Sequence, residues 1–295
     1  MRGRLMSAVG RDRVGLGWRG ELAAAILERA GELDLLEVIA EDWFDVPRRE
    51  VEALARLARE RPVLLHGVSL GLASSIPVED RRLERMARLV DRVRPEAWSE
   101  HLAFVRAGGV EIGHLAAPPR SVAVAEGACA NLARAARLVG ALPCVENIAT
   151  LIDPPGSAMD EGLWVRSIVA ASGAPMLIDL HNLYANALNF GRDPAELLRT
   201  MPLERVSMVH LSGGRWISPR SGPPRLLDDH LHDVPAEVFS LLETLARSAA
   251  QPLTVIIERD GNFPAFDALL AQVAQARAAL ARGRAARALC ERVAA

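Results

Sequence analysis

Lysine is absent from the 295 residues: all 35 basic side chains are arginine, set against 37 acidic ones, for a formal charge of −2 with histidine neutral. That absence excludes lysine Schiff-base and lysine-nucleophile chemistry. The even balance argues against a nucleic-acid grip built on bulk positive charge. The accompanying Ala/Arg/Leu richness reads as a GC-rich coding bias rather than a functional device. Cysteine is scarce, with Cys129, Cys144 and Cys290 alone, an inventory too small for a thiolate zinc cage or a disulfide framework. No run of about 18 apolar residues occurs, and Met1–Asp12 carries charges without an apolar core of signal-peptide length. The expectation is a cytoplasmic protein with reduced thiols and neither membrane nor nucleic-acid partners.

What the chain does hold is histidine, at positions 66, 101, 114, 181, 210, 230 and 232, within an ordinary globular composition of 50% hydrophobic and 24% charged residues. Eight short, nearly continuous apolar runs recur: Val14–Trp18, Leu33–Ala40, Pro62–Val68, Ala97–Leu102, Leu142–Asn147, Pro175–Leu180, Val206–Ser212 and Leu253–Glu258. Such runs suit strands buried on both faces of a parallel sheet. Between them lie amphipathic stretches read as helices: Gly20–Ala30, Pro47–Arg59, Glu79–Val93, Ser121–Leu138, Asp160–Ala171, Pro194–Met201 and Pro235–Ser248. Asp193–Pro194 and Val234–Pro235 are start signals, because proline loses nothing in a first helical turn whose N–H groups have no partner. Eight strand–helix units in about 250 residues match a closed (β/α)8 TIM barrel, a single α/β domain. We assign residues 1–274 to the barrel and 275–295 to a helical C-terminal tail.

One string favours an open dinucleotide-binding sheet instead. Gly15-Leu16-Gly17-Trp18-Arg19-Gly20 has the Gly-x-Gly-x-x-Gly spacing, with Glu37 and Glu41 downstream. That fingerprint needs a buried strand just before its first glycine, and Arg11-Asp12-Arg13 stand there. Two longer loops, Asp153–Met159 and Gly213–Asp233, follow the fifth and seventh strands, on the side where barrel sites are built.

The chemistry lies in where polar residues interrupt the apolar runs. The third strand ends on His66, the fourth on Glu100 and His101, the fifth on Glu146 and Asn147, the sixth on Asp179, His181 and Asn182, the seventh on His210, and the eighth on Glu258 and Asp260. A single histidine ending a strand is ordinarily a hydrogen-bonded core residue. Six consecutive strands with His, Asp or Glu at the same end form a ring in a barrel. Carboxylates and imidazoles gathered without lysine need a cation, and His66, His101, Glu146, Asp179, His210, Asp228, His230 and Glu258 form an N/O donor set suited to two or three iron, manganese or zinc ions.

His181 and His232 follow ligand candidates by two residues and are candidates for ligand, second-sphere or acid/base roles. His114 lies outside the pattern and reads as structural or exposed. Cys144 shares the strand face of Glu146 and reads as a small buried hydrophobe. Glu37, Glu41, Trp43 and Phe44 follow the second strand as a substrate wall, a supporting carboxylate or packing, and Tyr184, Asn186 and Asn189 are candidates for the mouth.

The strings GLGWR, LLHGVSLGL, WSEHLAF, VENIATL, LIDLHNLYANALNFG, MVHLSGG, DDHLHDVP and IERDGNFP, in that order, resemble the multinuclear non-heme iron-dependent oxidative enzymes, the TIM-barrel family that includes the methanobactin oxazolone-forming enzyme. The resemblance runs from about Val14 to Ala274 and gives the early glycine string a place unrelated to dinucleotides. It implies a (β/α)8 barrel, two or three mixed-valent iron ions at its mouth, and O2-dependent modification of a ribosomally synthesised precursor peptide, often at cysteine, in natural-product biosynthesis. It also implies a separate peptide-recognition partner protein. Carried over by motif, the ligands fall on His66, His101, Glu146, Asp179, Asn182, His210, Asp228, His230 and Glu258, which adds Asn182 to the set above. His181 stands where many members have Asn, and Arg19-Gly20-Glu21 where a His-Tyr pair is frequent; both departures bear on substrate identity. The alternative reading is a metal-dependent hydrolase or isomerase resembling endonuclease-IV-like or xylose-isomerase-like barrels, with a non-catalytic metal-binding adaptor as a third. The missing lysine counts against the sugar isomerase.

Overall fold

The computed structural model describes residues 10–220 and 222–294; Ser221 and Ala295 lie outside the described residues, as does Met1–Val9, the larger part of the segment read as having no apolar core of signal-peptide length. In chain order the first elements are β1 (Arg13–Gly17), α1 (Ala23–Glu28), β2 (Leu36–Ile39), α2 (Arg48–Glu60), β3 (Val63–Gly67), α3 (Asp80–Val93), β4 (Ala97–His101), β5 (Phe104–Ala107), β6 (Val110–Ala116), α4 (Val122–Val139), β7 (Cys144–Glu146) and α5 (Glu161–Ser172). There follow β8 (Met176–Asp179), α6 (Leu180–Asn189), α7 (Pro194–Thr200), β9 (Val206–Leu211), β10 (Gly214–Ile217), β11 (Arg225–Asp228), α8 (Ala236–Ser248), β12 (Thr254–Ile257) and α9 (Phe266–Ala294). Seven of the eight apolar runs contain a barrel strand and the first overlaps β1, which starts one residue earlier at Arg13; the strands follow the order β1-β12-β9-β8-β7-β4-β3-β2 in a closed (β/α)8 barrel.

The described residues form two compact units. In the first, comprising residues 35–148 and 152–177, β2 pairs with β3, β3 with β4, β4 with β7 and β7 with β8, all parallel. Its registers place His66 beside Ser99 and His101 beside Glu146. The segment after β3 is tied down by polar side chains. Asn131, on α4, accepts from Val78 N–H at 2.9 Å and donates to the carbonyls of Leu72, Ser74 and Ile76, so one buried amide replaces a missing strand partner. A hairpin, β5–β6, extends from β4; its register is irregular between Phe104 and Arg106.

In the second unit, residues 10–34, 149–151 and 178–295, β9 pairs with β12 and β12 with β1. Helices α8 and α9 pack closely where a Cβ on Gly283 would run into Glu243 O and Ala246 Cβ. Residues from Gln275 onward continue α9 without a break from Phe266. Apolar periodicity gives no sign of α6. It begins at Leu180, directly after β8, because the Asp179 carboxylate accepts from Asn182 N–H at 2.6 Å and caps the helix with no intervening loop. The stretch Gly213–Asp233, expected as loop, holds the hairpin β10–β11, whose two short strands are separated by a proline- and glycine-rich turn that masks the alternation. Among the described residues, no helix is long and apolar enough to cross a membrane.

Candidate metal centre

In the first unit the β4–β7 register sets His101 opposite Glu146, and the side chains meet with His101 Nε2 3.3 Å from Glu146 Oε2. His66 Nε2 approaches the same oxygen at 3.6 Å, and the two imidazoles sit edge to face with centroids 4.7 Å apart. Candidate ligand atoms of His66, His101 and Glu146 all lie within 4.8 Å of one another, and all three residues are buried. The far nitrogens are already engaged. His66 Nδ1 is 2.8 Å from Ser99 Oγ, and His101 Nδ1 is 3.3 Å from Gly67 O. With Nδ1 so held, both rings present Nε2 to the carboxylate, the arrangement that orients metal-binding histidines.

Glu100, between these ligands in sequence, faces the other way. Its carboxylate accepts from Leu70 N–H and His101 N–H, and a Cβ at Gly67 would run into it. Glu41, on a short 3-10 turn after β2, accepts from Val68 N–H at 3.0 Å and Ser69 Oγ at 2.6 Å. Burial, then the charge of Glu100, push the Glu41 carboxyl above its ordinary range. These two carboxylates brace the turn that follows His66. Glu37 is buried on β2, Phe44 carries the Arg85 guanidinium over its ring at 4.9 Å, and Cys144 is buried on β7.

In the second unit, ligand atoms of Asp179, His230 and Glu258 also lie within 4.8 Å of one another. His210, buried at the end of β9, brings Nδ1 to 3.1 Å from Glu258 Oε2, and His230 Nδ1 is 3.4 Å from the same oxygen. On its other side His230 Nε2 is 2.8 Å from Asp228 Oδ2, while Asp228 Oδ1 is 2.7 Å from His181 Nδ1. His230 adopts a positive φ of 54°, the left-handed region that non-glycine residues rarely enter. Its N–H donates to Gly213 O, and its carbonyl accepts from Asp260 N–H. Burial works against a proton on His230, yet the Glu258 and Asp228 carboxylates raise its affinity for one well above the usual imidazole range. Burial likewise pushes Asp228 upward, but the His230 and His181 partners prevail and hold it well below the carboxylate range.

The remaining sequence candidates occupy different places. His181 is fully buried on the first turn of α6, its Nε2 without a hydrogen-bond partner. Asn182 is buried beside it, with its N–H on Asp179. His232 is 44% exposed and pairs with Asp229, apart from either group. Tyr184 lies with its ring centroid 6.4 Å from that of His181. Asn186 accepts from Thr150 N–H, and Asn189 accepts from Leu226 N–H and donates to Leu226 O. His114 is exposed on β6.

Sequence reasoning missed two contributors. Ser99 carries no signal of its own, because only the β3–β4 register puts it next to His66. Arg19, noted only as a departure from a motif, pairs with Asp260 and brings Nη2 to 3.6 Å from Glu258 Oε1. Both groups have the composition of hard-to-borderline cation sites, oxygen and imidazole nitrogen without thiolate. Buried carboxylates in such company call for a cation. The second group also presents the unpartnered Nε2 of His181 close behind it. The residues therefore fit metal ions.

Ser99→Ala is expected to weaken metal binding at the first group by about 10- to 100-fold while leaving thermal stability of the metal-free chain within a few degrees. Metal titration monitored by calorimetry, alongside a melting curve, separates the two effects. Unchanged affinity would mean that the hydroxyl does not orient His66.

Residues 13–281 match a family described as the RiPP precursor modification enzyme MbnB/TglH/ChrH. A UPF0276 protein of Streptomyces avermitilis is 39% identical over 258 residues; the match spans 85% of this chain but 51% of the relative, so this chain spans about half of that protein's length. A UPF0276 protein of Bordetella parapertussis is 34% identical over 273 residues, covering 92% of this chain and 93% of the relative. Among solved structures, that of an L-ribulose 3-epimerase superposes with a TM-score of 0.62 over 96% of this chain and 98% of that one, at 13% identity. At that identity the likeness concerns the barrel fold.

Proposed function

The chain belongs to the MbnB/TglH/ChrH family of RiPP precursor modification enzymes, and from that premise we propose that it carries out an iron-dependent, O2-using oxidation of a ribosomally synthesised precursor peptide. The observation that carries this reading is the group His66, His101 and Glu146. Two imidazoles and one carboxylate, buried together with their outer nitrogens engaged, are the donor set of non-heme iron(II) oxygenases, which leaves coordination positions open for O2 and substrate. Asp179, His230 and Glu258, with His210 and Asp228 adjoining, would hold a further ion. Bound in these groups, iron would supply electrons to O2 and the means to break a substrate C–H bond.

The rest is the work of this chain's own residues. Ser99 and Gly67 O fix the ring orientations of His66 and His101. Asp228 holds His181 and His230 in place from one carboxylate. The proton favoured on His230 in the metal-free chain must leave when a cation binds, so uptake there releases a proton and strengthens as pH rises. His181 Nε2 is available to hold or pass a proton. Delivery of the peptide by a separate recognition protein is part of the same proposal.

Anaerobic purification followed by metal analysis, then O2-uptake measurements with the precursor peptide, tests this reading. Iron at two or more ions per chain and peptide-dependent O2 consumption are expected. A chain that purifies without iron, or that turns over an epimerisable keto sugar with a divalent ion and no O2, would overturn it.

A further inference from the structure

The hairpin β10–β11 joins the two halves of the second ligand group. Gly214 lies four residues after His210, and its register partner Asp228 reaches both His181 and His230. A Cβ at Gly214 would run into Leu227 O and His181 Cε1, so the base of the hairpin sits tightly against the buried histidine.

The hairpin has two outer edges with different fates. Along β11, Leu226 gives both its N–H (2.7 Å) and its C=O (3.0 Å) to the Asn189 side chain, which therefore occupies that edge as a strand would. Those groups point away from β10, so Leu226 and its partner Trp216 form a non-hydrogen-bonded pair. It follows that the N–H and C=O of Trp216 point outward on the opposite edge, where the two-stranded sheet has no further strand among the described residues. Trp216 is also 57% exposed, the only tryptophan among the exposed large hydrophobic residues described. Natural edge strands are ordinarily guarded by charge, proline or a bulge; here the outward backbone groups belong to a residue whose side chain is itself exposed.

Within the hairpin itself, up to Leu227, the charge has one sign. From Gly214 to Leu227 the sequence carries Arg215, Arg220 and Arg225 and no carboxylate. Arg225 lies over the Phe190 ring at 5.5 Å, and Arg215 reaches Asp229 at the foot of the hairpin.

We propose that the outer edge of β10 is the docking strand for an extended, acidic segment of the precursor peptide, held by the outward backbone groups of Trp216, by stacking on its indole and by the hairpin arginines. This rests on the peptide-modifying reading above and gives it a place: a strand added along Trp216 towards Gly214 is led to the Asp228 and His230 end of the hairpin. Strand addition supplies affinity through main-chain hydrogen bonds and specificity through alternate side chains.

The test uses a fluorescein-labelled peptide of alternating glutamate and valine, titrated into the full-length chain by anisotropy. Comparison peptides replace glutamate by lysine or carry N-methyl groups on alternate amides. Wild type should bind the acidic peptide at least about tenfold more tightly than either comparison peptide, and Trp216→Ser and Arg220→Glu should each lose about tenfold. Hydrogen exchange at the Trp216 amide should slow when the acidic peptide is added. Both variants should keep wild-type metal content and melting temperature, which shows that they fold.

Equal binding by wild type and Trp216→Ser, equal binding of the lysine peptide, or no binding at all would overturn the proposal. Protection of Trp216 that rises with protein concentration alone would also overturn it, because the edge would then pair two copies of this chain. Iron content and O2 uptake are read separately. A chain that binds iron and consumes O2 but ignores these peptides loses only the docking strand, whereas one that binds the peptide without iron loses the chemistry.

Discussion

Replacing Glu146 by Ala is expected to remove one metal ion per chain and abolish peptide-dependent O2 uptake. The carboxylate is the shared neighbour of His66 and His101, at 3.6 and 3.3 Å. Without it the two imidazoles are neutral donors with no anion to balance a divalent charge. Because losing a supporting partner of a ligand costs about 10- to 100-fold in metal affinity, losing a ligand should cost at least the upper end of that range. Glu146→Gln keeps the shape and removes the charge, so it should show nearly the same metal loss with a smaller change in folding. Metal analysis of both variants after purification, with native mass spectrometry to count ions, reads the result. Wild-type stoichiometry in Glu146→Gln would show that this group is not a metal site.

Arg284→Ala is expected to lower stability by about 3 kcal/mol, through loss of several charge-assisted hydrogen bonds at once. The guanidinium on α9 grips both oxygens of Asp12, at 2.8 and 2.7 Å, and donates to the carbonyls of Ala246, Ala249 and Gln251. Asp12 in turn accepts from Leu253 N–H at 2.8 Å, just before β12. One side chain thus ties the approach to β1, the end of α8 and the approach to β12 to α9. Thermal unfolding should show a fall of roughly 6–12 °C, taking about 2–4 °C per kcal/mol for a chain of this order of size. Arg284→Lys should recover little, since an ammonium cannot fork across a carboxylate and reach three carbonyls. A shift within about 2 °C of wild type would show that the clamp contributes nothing net.

The strand positions are legible because each barrel strand is buried on both faces, and burial on both faces writes itself into the chain as a short, uninterrupted apolar run. His66, His101, Glu146, Asp179, His210 and Glu258 are visible for the same reason: a polar residue in or just beyond such a run stands out. Elements that depend on something besides apolar periodicity are not visible. Helix α6 starts on a carboxylate cap at Asp179, so the run Pro175–Leu180 flows into the helix with no change of composition. The hairpin β10–β11 is paired by register and by Asn189, not by an apolar face. Asn182 and His232, named by motif and by proximity in sequence, take their partners from the fold. Asn182 gives its backbone to the Asp179 cap, and His232 turns outward to Asp229.

By itself the sequence determined that this chain builds eight buried strands and carries imidazoles and carboxylates at their ends, because hydrophobic burial and its interruption are one-dimensional patterns. Only the tertiary structure decided which donors meet. Strand register sets His101 against Glu146 and Ser99 against His66, and a left-handed turn at His230 brings its ring between Asp228 and Glu258. Register and turn geometry are settled by contacts between residues far apart in the chain, and no local pattern encodes them.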